Sequence, residues 1–165
     1  MLPAVDRGAE ANFVRRVIMQ NKSEVAERLF MDGFSCAQSV LAPFCEEYEL
    51  DTETALRMAA PLGGGCGIAE VCGAVSGGVL VVGLKHGNCI ATDTGTNMNC
   101  RAKRAQFIDE FKKLHDTVTC RGLLGFDLTT EDGHEKYLAM TRDRAASKGA
   151  GFVKNAARIL EEQGY

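Results

Sequence analysis

Cysteine is the residue type in this sequence with the widest chemical scope. Seven cysteines lie within 85 residues, at positions 36, 45, 66, 72, 89, 100 and 120. Thiolates attack disulfides and bind soft metal ions, so cysteines grouped in this way indicate redox chemistry or a metal site. Cys66 and Cys72 stand in the stretch GGGCGIAEVCGAVSGG, residues 63–78, where glycines allow close backbone approach. We expect this stretch to carry thiols with little side-chain bulk around them.

Two of the cysteines follow residues that commonly begin helices. Ser35 starts the capping-box pattern S-x-x-Q, which makes Cys36 the first residue of a helix. Thr119 is a comparable N-cap for Cys120. At a helix start the free N–H groups and the positive end of the dipole favour an anion, so such thiols commonly have a lowered pKa.

The sequence indicates a functional role more strongly for some of the remaining cysteines than for others. Cys72 is predicted to open the helix after the glycine-rich loop, and Cys100 follows Asn99 in the same way. Cys45 shares an apolar helix face and is predicted to lie in the core. Cys89 falls in a polar loop, where it is either an incidental thiol or a mobile resolving one. The strongest candidates for redox thiols are therefore Cys36, Cys72 and Cys120.

The glycines of this region are candidates for contact with a bound group. The four in the loop are Gly63, Gly64, Gly65 and Gly67. Gly73 and Gly77 lie four residues apart, on one helix face, and should let a neighbouring helix pack close to Cys72. The alternative is a glycine-rich helix crossing in which the cysteines act only as small hydrophobic residues.

The pattern of apolar residues predicts an all-α fold, a single-domain helical bundle over residues 1–165. Apolar residues recur at helical spacing nearly everywhere, and no run alternates with period two. The stretch 72–87 is predicted to be a buried helix, although its valines and glycines also fit a strand. The first predicted helix ends before Gly33. The next ones cover about 36–48, 51–60, 72–86, 99–115 and 130–146, and the last helix follows the break at 147–151.

Composition excludes several classes of function. The formal charge is −3 with 45% hydrophobic residues, so neither nucleic acid nor an anionic membrane surface is an indicated partner. The first 20 residues mix charged and apolar side chains, and Arg15 and Arg16 are interpreted as part of a helix face rather than of an export signal. We therefore expect a cytoplasmic protein, without membrane insertion, in which clustered thiols are reduced.

Three motifs in the same order carry a resemblance to a known family. They are GFSCAQSVL (33–41), GGGCGIAEVCGAVSGG (63–78) and TCRGLLGFD (119–127). Together they resemble the C_GCAxxG_C_C family, which is described as redox-active, over about residues 33–127, with a weaker similarity in GFVKNAARILEE (151–162), within the C-terminal helices 130–163. The resemblance implies a helical protein whose four characteristic cysteines bind a prosthetic group such as an iron–sulfur cluster.

The family pattern is broken at one position. Three of its cysteines match Cys36, Cys72 and Cys120, but the fourth position is Gly149 in this chain. Cys66 stands where family members more often have another residue, and we hypothesise that it replaces the missing ligand. The predicted metal ligands are then Cys36, Cys66, Cys72 and Cys120.

Three functions are open at this stage. The first is electron transfer through an iron–sulfur cluster or another metal at these four thiolates, with zinc as a structural alternative. The second is a metal-free thiol–disulfide oxidoreductase or thiol sensor. The third is a non-enzymatic helical adaptor or cluster carrier that docks a partner, or a second copy in a homodimer, through its glycine-rich face. The identity of a redox partner protein and whether a substrate is turned over are open in each case.

For the other polar residues the sequence gives weaker evidence of a role at the site. His115 and His134 are predicted to be solvated. Glu70, the only charged residue between Cys66 and Cys72, is either a carboxylate favoured near the next helix start or a proton acceptor beside the site.

Overall fold

A computed structural model describes residues 21–165 of the chain, so the helix face predicted at Arg15 and Arg16 lies outside the described residues. Within this range the protein consists of α-helices and short helical turns and has no β-strand, which confirms the predicted all-α fold. The helices are α1 (Lys22–Met31), α2 (Cys36–Cys45), α3 (Thr52–Ala59), α4 (Gly73–His86), α5 (Thr94–His115), α6 (Cys120–Leu124), α7 (Glu131–Arg142) and α8 (Gly149–Glu162). Short 3₁₀ turns cover Glu46–Tyr48 and Ala60–Leu62, and a wider π-type turn covers Gly65–Ala69.

The helices pack around one apolar core. Helix α4 packs on α2 and α5, and α1 packs on α2 and α8. The largest fully buried side chains are Phe44, Phe107, Phe111, Leu41 and Leu160. Helix α4, which could also have been a strand by composition, is a helix buried on the faces it presents to α2 and α5. No helix within residues 21–165 has both the length and the apolar character needed to cross a membrane.

Close approach of α2 and α4 depends on two glycines. A Cβ atom on Gly77 would lie 2.7 Å from the carbonyl oxygen of Ala37, and one on Gly73 would lie 3.0 Å from the Cβ of Cys36. Contacts this short with backbone atoms cannot be relieved by a side-chain rotation. The predicted tight packing beside Cys72 is confirmed, and both glycines face a neighbouring helix of the same chain.

The capping residues Ser35 and Thr119 correctly predicted the starts of α2 and α6. Ser35 accepts from the backbone N–H of Gln38, and the Gln38 side chain accepts from the N–H of Ser35, which completes the capping box before α2. Thr119 accepts from the N–H of Gly122 at the start of α6. Cys72 is the N-cap of α4. All three thiols of the strongest candidates therefore lie at helix starts.

The predicted helix start at Cys100 is wrong. Helix α5 begins at Thr94, because Asp93 accepts from the N–H of Thr96 and provides the cap. Residues of low helix propensity follow this cap, which is why the segment reads as a loop in the sequence. Cys100 consequently lies inside α5, where no free N–H groups surround it.

Candidate thiol site

The starts of three helices meet at one small cavity. Cys36, Cys72 and Cys120, which are 84 residues apart from first to last, all line it. Its volume is about 40 Å³. Cys72 and Cys120 are 3% and 6% exposed, and Cys36 is half-buried. The fold thus brings the three strongest candidate thiols together.

Backbone hydrogen bonds hold the Cys72 and Cys120 segments side by side. The N–H of Cys72 donates to the carbonyl of Val118 at 2.8 Å, and the N–H of Cys120 donates to the carbonyl of Glu70 at 2.6 Å. Val71 and Thr119 form an isolated antiparallel bridge between these two bonds. The two helix starts are therefore fixed to each other by the main chain, independently of their side chains.

Arg121 fastens the glycine-rich loop to α6. Its guanidinium donates to the carbonyls of Ala69 at 3.2 Å and Ile68 at 3.1 Å, and it pairs with the carboxylates of Glu70 and Asp127. A planar guanidinium can serve several acceptors at once in a way that lysine cannot. Glu70 is exposed and ion-paired, so it stabilises this clamp near the start of α4.

The thiols of Cys36 and Cys72 form an unequal pair. A hydrogen bond from the Cys36 thiol to the Cys72 sulfur lowers the pKa of Cys72, and the nearby N–H groups of Ala74 and Val75 lower it further against the effect of burial. The same hydrogen bond, followed by burial, raises the pKa of Cys36 well above its ordinary value. The first proton lost by the pair therefore leaves a thiolate at Cys72 with Cys36 as its donor.

Cys120 behaves differently although it also starts a helix. Burial raises the pKa of Cys120 to about 12, and the negative charges of Cys72 and Asp127 add to the effect. A neutral thiol is thus the stable form of Cys120 at neutral pH.

Two polar residues of the cavity were not found by sequence reasoning. Tyr137, on α7, is half-buried, and burial followed by the charges of Cys36 and Cys120 raises its pKa. Arg144, between α7 and α8, donates to two carbonyl oxygens and lies over the ring of Phe30 at 4.8 Å. Neither stands near a cysteine motif, and only tertiary packing brings them to the thiols.

The other predicted site residues are spread around the cavity. Gly64 lines it, whereas Gly63 packs on Ser35, Gly65 folds against the backbone of Glu70, and Gly67 lines an open groove outside. Cys66 is exposed and is not among the residues that line the cavity. Its role as a replacement ligand stays a prediction. Cys45 is fully buried in the core, as expected, and Cys89 is exposed.

Gly149, the position where the resemblance implies a fourth cysteine, also lines the cavity. A Cβ atom on Gly149 would lie 2.6 Å from Cζ of Phe30. The aromatic ring therefore occupies the space that a larger residue at this position would need. Residue 149 contributes no thiol to the cavity, and the ring of Phe30 lies beside it.

The residues present do not fit a cluster held by four cysteines. Such clusters require four thiolates around one centre, and this cavity has three, with the ring of Phe30 at the fourth position. No group of three or more His, Cys, Asp or Glu side chains in the described part of the chain is arranged to hold a metal ion. The iron–sulfur cluster and zinc stay predictions from the resemblance.

The histidines lie away from the thiols. His134 is exposed, as expected, and lines the open groove. The prediction for His115 is wrong: its ring is half-buried, packed at 4.5 Å from Phe111 and 5.1 Å from Phe152 between ring centroids. Burial lowers the pKa of His115.

The fold and the cavity together define a helical protein with a thiol site assembled from separate helix starts. The model of the family described as "Putative redox-active protein (C_GCAxxG_C_C)" matches residues 34–163, and the chain therefore belongs to this family. The match extends beyond the predicted 33–127 to include α7 and α8, which supply Tyr137 and Gly149 to the cavity. No curated protein and no solved structure matches the chain.

Proposed function

We propose that this redox-active family member works through reversible dithiol chemistry between Cys72 and Cys36. The observation that carries the proposal is that Cys36 and Cys72 stand at two helix starts, line one cavity and shift each other's pKa in opposite directions. Thiolate is the nucleophilic form of cysteine, so Cys72 is the attacking residue. Cys36 is the resolving residue, because it already lies at the Cys72 sulfur.

The half-reaction balances as a two-electron oxidation. The Cys36 thiol and the Cys72 thiolate form one S–S bond, and two electrons pass to an acceptor while the proton of Cys36 is released. Reduction reverses these changes. Each residue has a separate part: Cys72 holds the charge before oxidation, Cys36 holds the proton, and the close packing of α2 and α4 keeps both residues at one cavity.

The test is to map the disulfide formed under a mild thiol oxidant. We expect the wild-type protein treated with diamide to form a Cys36–Cys72 bond, identified by peptide mass spectrometry, that dithiothreitol reduces. Cys36→Ser and Cys72→Ser should each abolish it. Cys89→Ser is the matched control, because Cys89 is an exposed thiol outside the cavity. Random modification of all seven thiols would overturn the proposal.

A metal centre at the same thiols is tested separately. The observation that favours it is that three thiols share one cavity. Protein purified without oxygen should be analysed for iron, sulfide and zinc. Stoichiometric iron and sulfide with a visible absorption band would replace the dithiol proposal by a cluster protein, whereas metal-free protein with the mapped disulfide supports the dithiol.

The proposal includes a reducing compartment and a thiol partner. We place the protein in the cytoplasm, where a dithiol–disulfide pair can be returned to its reduced form. The glycine face that favoured a homodimer or a docked adaptor now has another use, since Gly73 and Gly77 pack on α2. A redox partner carrying a dithiol is therefore the interaction we expect.

A further inference from the structure

The size of the cavity limits what can reach the Cys72 sulfur. Its volume is about 40 Å³, which is room for only a few molecules of the size of water. Exchange with a disulfide requires a substrate sulfur, its neighbour sulfur and their carbon substituents to line up with the attacking thiolate. Since Cys72 is only 3% exposed, an oxidant of very few heavy atoms should reach its sulfur much faster than a large one.

The cavity also presents donors to an oxidant bound there. The thiol of Cys36 lines the same cavity as Cys72. The guanidinium of Arg144 is held at the cavity by 2.7 Å hydrogen bonds from Nη1 to the carbonyls of Phe30 and Phe34. A fixed cation of this kind stabilises negative charge that develops on a leaving oxygen.

We propose that the electron acceptor of this site is hydrogen peroxide, reduced to water at Cys72; this inference rests on the proposed dithiol function. The Cys72 thiolate attacks one peroxide oxygen and the O–O bond breaks. Cys72 becomes a sulfenic acid, and the other peroxide oxygen leaves as hydroxide. Hydroxide takes the proton of Cys36 and becomes water. The Cys36 thiolate then attacks the Cys72 sulfur, which forms the disulfide and expels a second hydroxide. In sum, the thiolate–thiol pair and one peroxide give one disulfide, one water and one hydroxide, and the hydroxide takes a proton from solvent to become the second water.

A dithiol returns the site to its reduced state. Cys36 is half-buried whereas Cys72 is buried, so an external thiolate attacks the Cys36 sulfur. Cys72 then leaves as the thiolate, which its surroundings favour. The second thiol of the reductant attacks the mixed disulfide, which releases Cys36 and leaves the reductant oxidised.

Tyr137 forms the wall that sets the size limit. It lines the thiol cavity and also an open groove outside it, which is shared with Gly67, Leu128 and His134. A Cβ atom on Gly64 would lie 3.4 Å from the Tyr137 hydroxyl, which shows how closely the ring covers the loop. Removing this ring should join the cavity to the groove and admit larger peroxides.

The experiment compares oxidants on the reduced, full-length protein. Oxidation is followed by stopped-flow and quenched mass spectrometry, with hydrogen peroxide, tert-butyl hydroperoxide and oxidised glutathione as probes. We expect hydrogen peroxide to oxidise Cys72 about 100-fold faster than it oxidises free cysteine at the same pH, because a positioned acid assists the leaving oxygen. Cys36→Ser should stop at the sulfenic acid, detected with dimedone. Tert-butyl hydroperoxide should react at least about 10-fold more slowly, since misplacement of the reacting atoms is costly.

Variants at Tyr137 test the size limit itself. Tyr137→Ala should raise the rate with tert-butyl hydroperoxide relative to hydrogen peroxide, and Tyr137→Phe, which keeps the ring, should not. A disulfide that forms with diamide while hydrogen peroxide reacts no faster than with free cysteine would overturn this inference and leave the dithiol function standing. Absence of a Cys36–Cys72 disulfide with every oxidant would overturn both.

Discussion

Two thiols at helix starts on the same cavity have pKa values that are shifted in opposite directions. Cys72 caps the 14-residue helix α4, and its pKa is lowered; Cys120 begins the five-residue helix α6, and its pKa is raised to about 12. Both are more than nine-tenths buried, so burial opposes ionisation in each case. The difference lies in their neighbours. Cys72 receives a hydrogen bond from Cys36, whereas Cys120 faces the charges of Cys72 and Asp127.

A position at a helix start is therefore insufficient to make a reactive cysteine. The free N–H groups of a helix start favour the thiolate by a small amount, which burial readily outweighs. A donor aimed at the sulfur decides the sign. Cys36 itself begins α2 and yet has a raised pKa, because it supplies the proton of the hydrogen bond.

Loss of the Cys72 thiol should have the largest effect on the difference in pKa between Cys72 and Cys120. Thiolate absorbance near 240 nm, followed against pH, should show one cysteine that ionises below the ordinary range in the wild-type protein. Cys72→Ser should abolish that low-pH step completely. Cys120→Ser should leave it in place, because Cys120 stays neutral there. Persistence of the step in the Cys72→Ser protein would assign it to another residue and break the comparison.

The close approach of α2 and α4 should be the next most sensitive feature. Gly77→Ala would place a methyl group 2.7 Å from the carbonyl oxygen of Ala37, and overpacking against backbone costs up to about 3 kcal/mol. Gly83→Ala on the same helix is the control, since no atom lies within 4 Å of its added Cβ, and it should stabilise α4 by about 0.5–1 kcal/mol. Urea unfolding measures both changes, and equal stabilities of the two variants would contradict the tight packing.

Removal of the donor should make Cys72 resemble Cys120. Cys36→Ala takes away the hydrogen bond that contributes most to the lowered pKa of Cys72. Hydrogen bonds to charged groups contribute about 1.5–3 kcal/mol, so the pKa of Cys72 should rise when this donor is removed. The same absorbance titration measures the shift. Cys36→Ser should restore part of the effect, because a hydroxyl can also donate; an unchanged pKa in the alanine variant would locate the cause in the helix start alone.

The smallest effect concerns stability at alkaline pH. The folded state keeps Cys120 protonated up to about pH 12, while in the unfolded chain a cysteine ionises near pH 8.5. Between these values the unfolded state binds fewer protons, so the free energy of unfolding falls as pH rises, by at most about 1.4 kcal/mol per pH unit. Cys120→Ala should make the decline between pH 8.5 and 10 shallower by up to about 2 kcal/mol. Parallel curves from urea unfolding at several pH values would argue against the raised pKa.

Features governed by near neighbours in the sequence were predictable. The capping box of Ser35 with Gln38 and the cap at Thr119 depend on hydrogen bonds over three residues. The glycine spacing on α4 predicted its tight packing for the same reason, since Gly73 and Gly77 share one face wherever the helix lies. Cys100 was misplaced because Asp93 caps α5 one and a half turns earlier than the polar residues indicate.

Features that join distant segments were not predictable residue by residue. No local pattern shows that Arg144 lies over Phe30, or that this ring fills the space at Gly149. His115 was expected in solvent because its neighbours in the sequence are charged, whereas Phe111 and Phe152 cover it in the folded chain.

The sequence by itself determined which thiols stand at helix starts and which glycines permit helices to approach, because both follow from hydrogen bonding and side-chain volume within a few residues. Only the tertiary structure decided that Cys72 is the acidic thiol of the three and that Cys66 lies outside the cavity they line. A thiol's acidity depends on the donors, charges and solvent within a few ångströms, and those come from helices that are far apart along the chain.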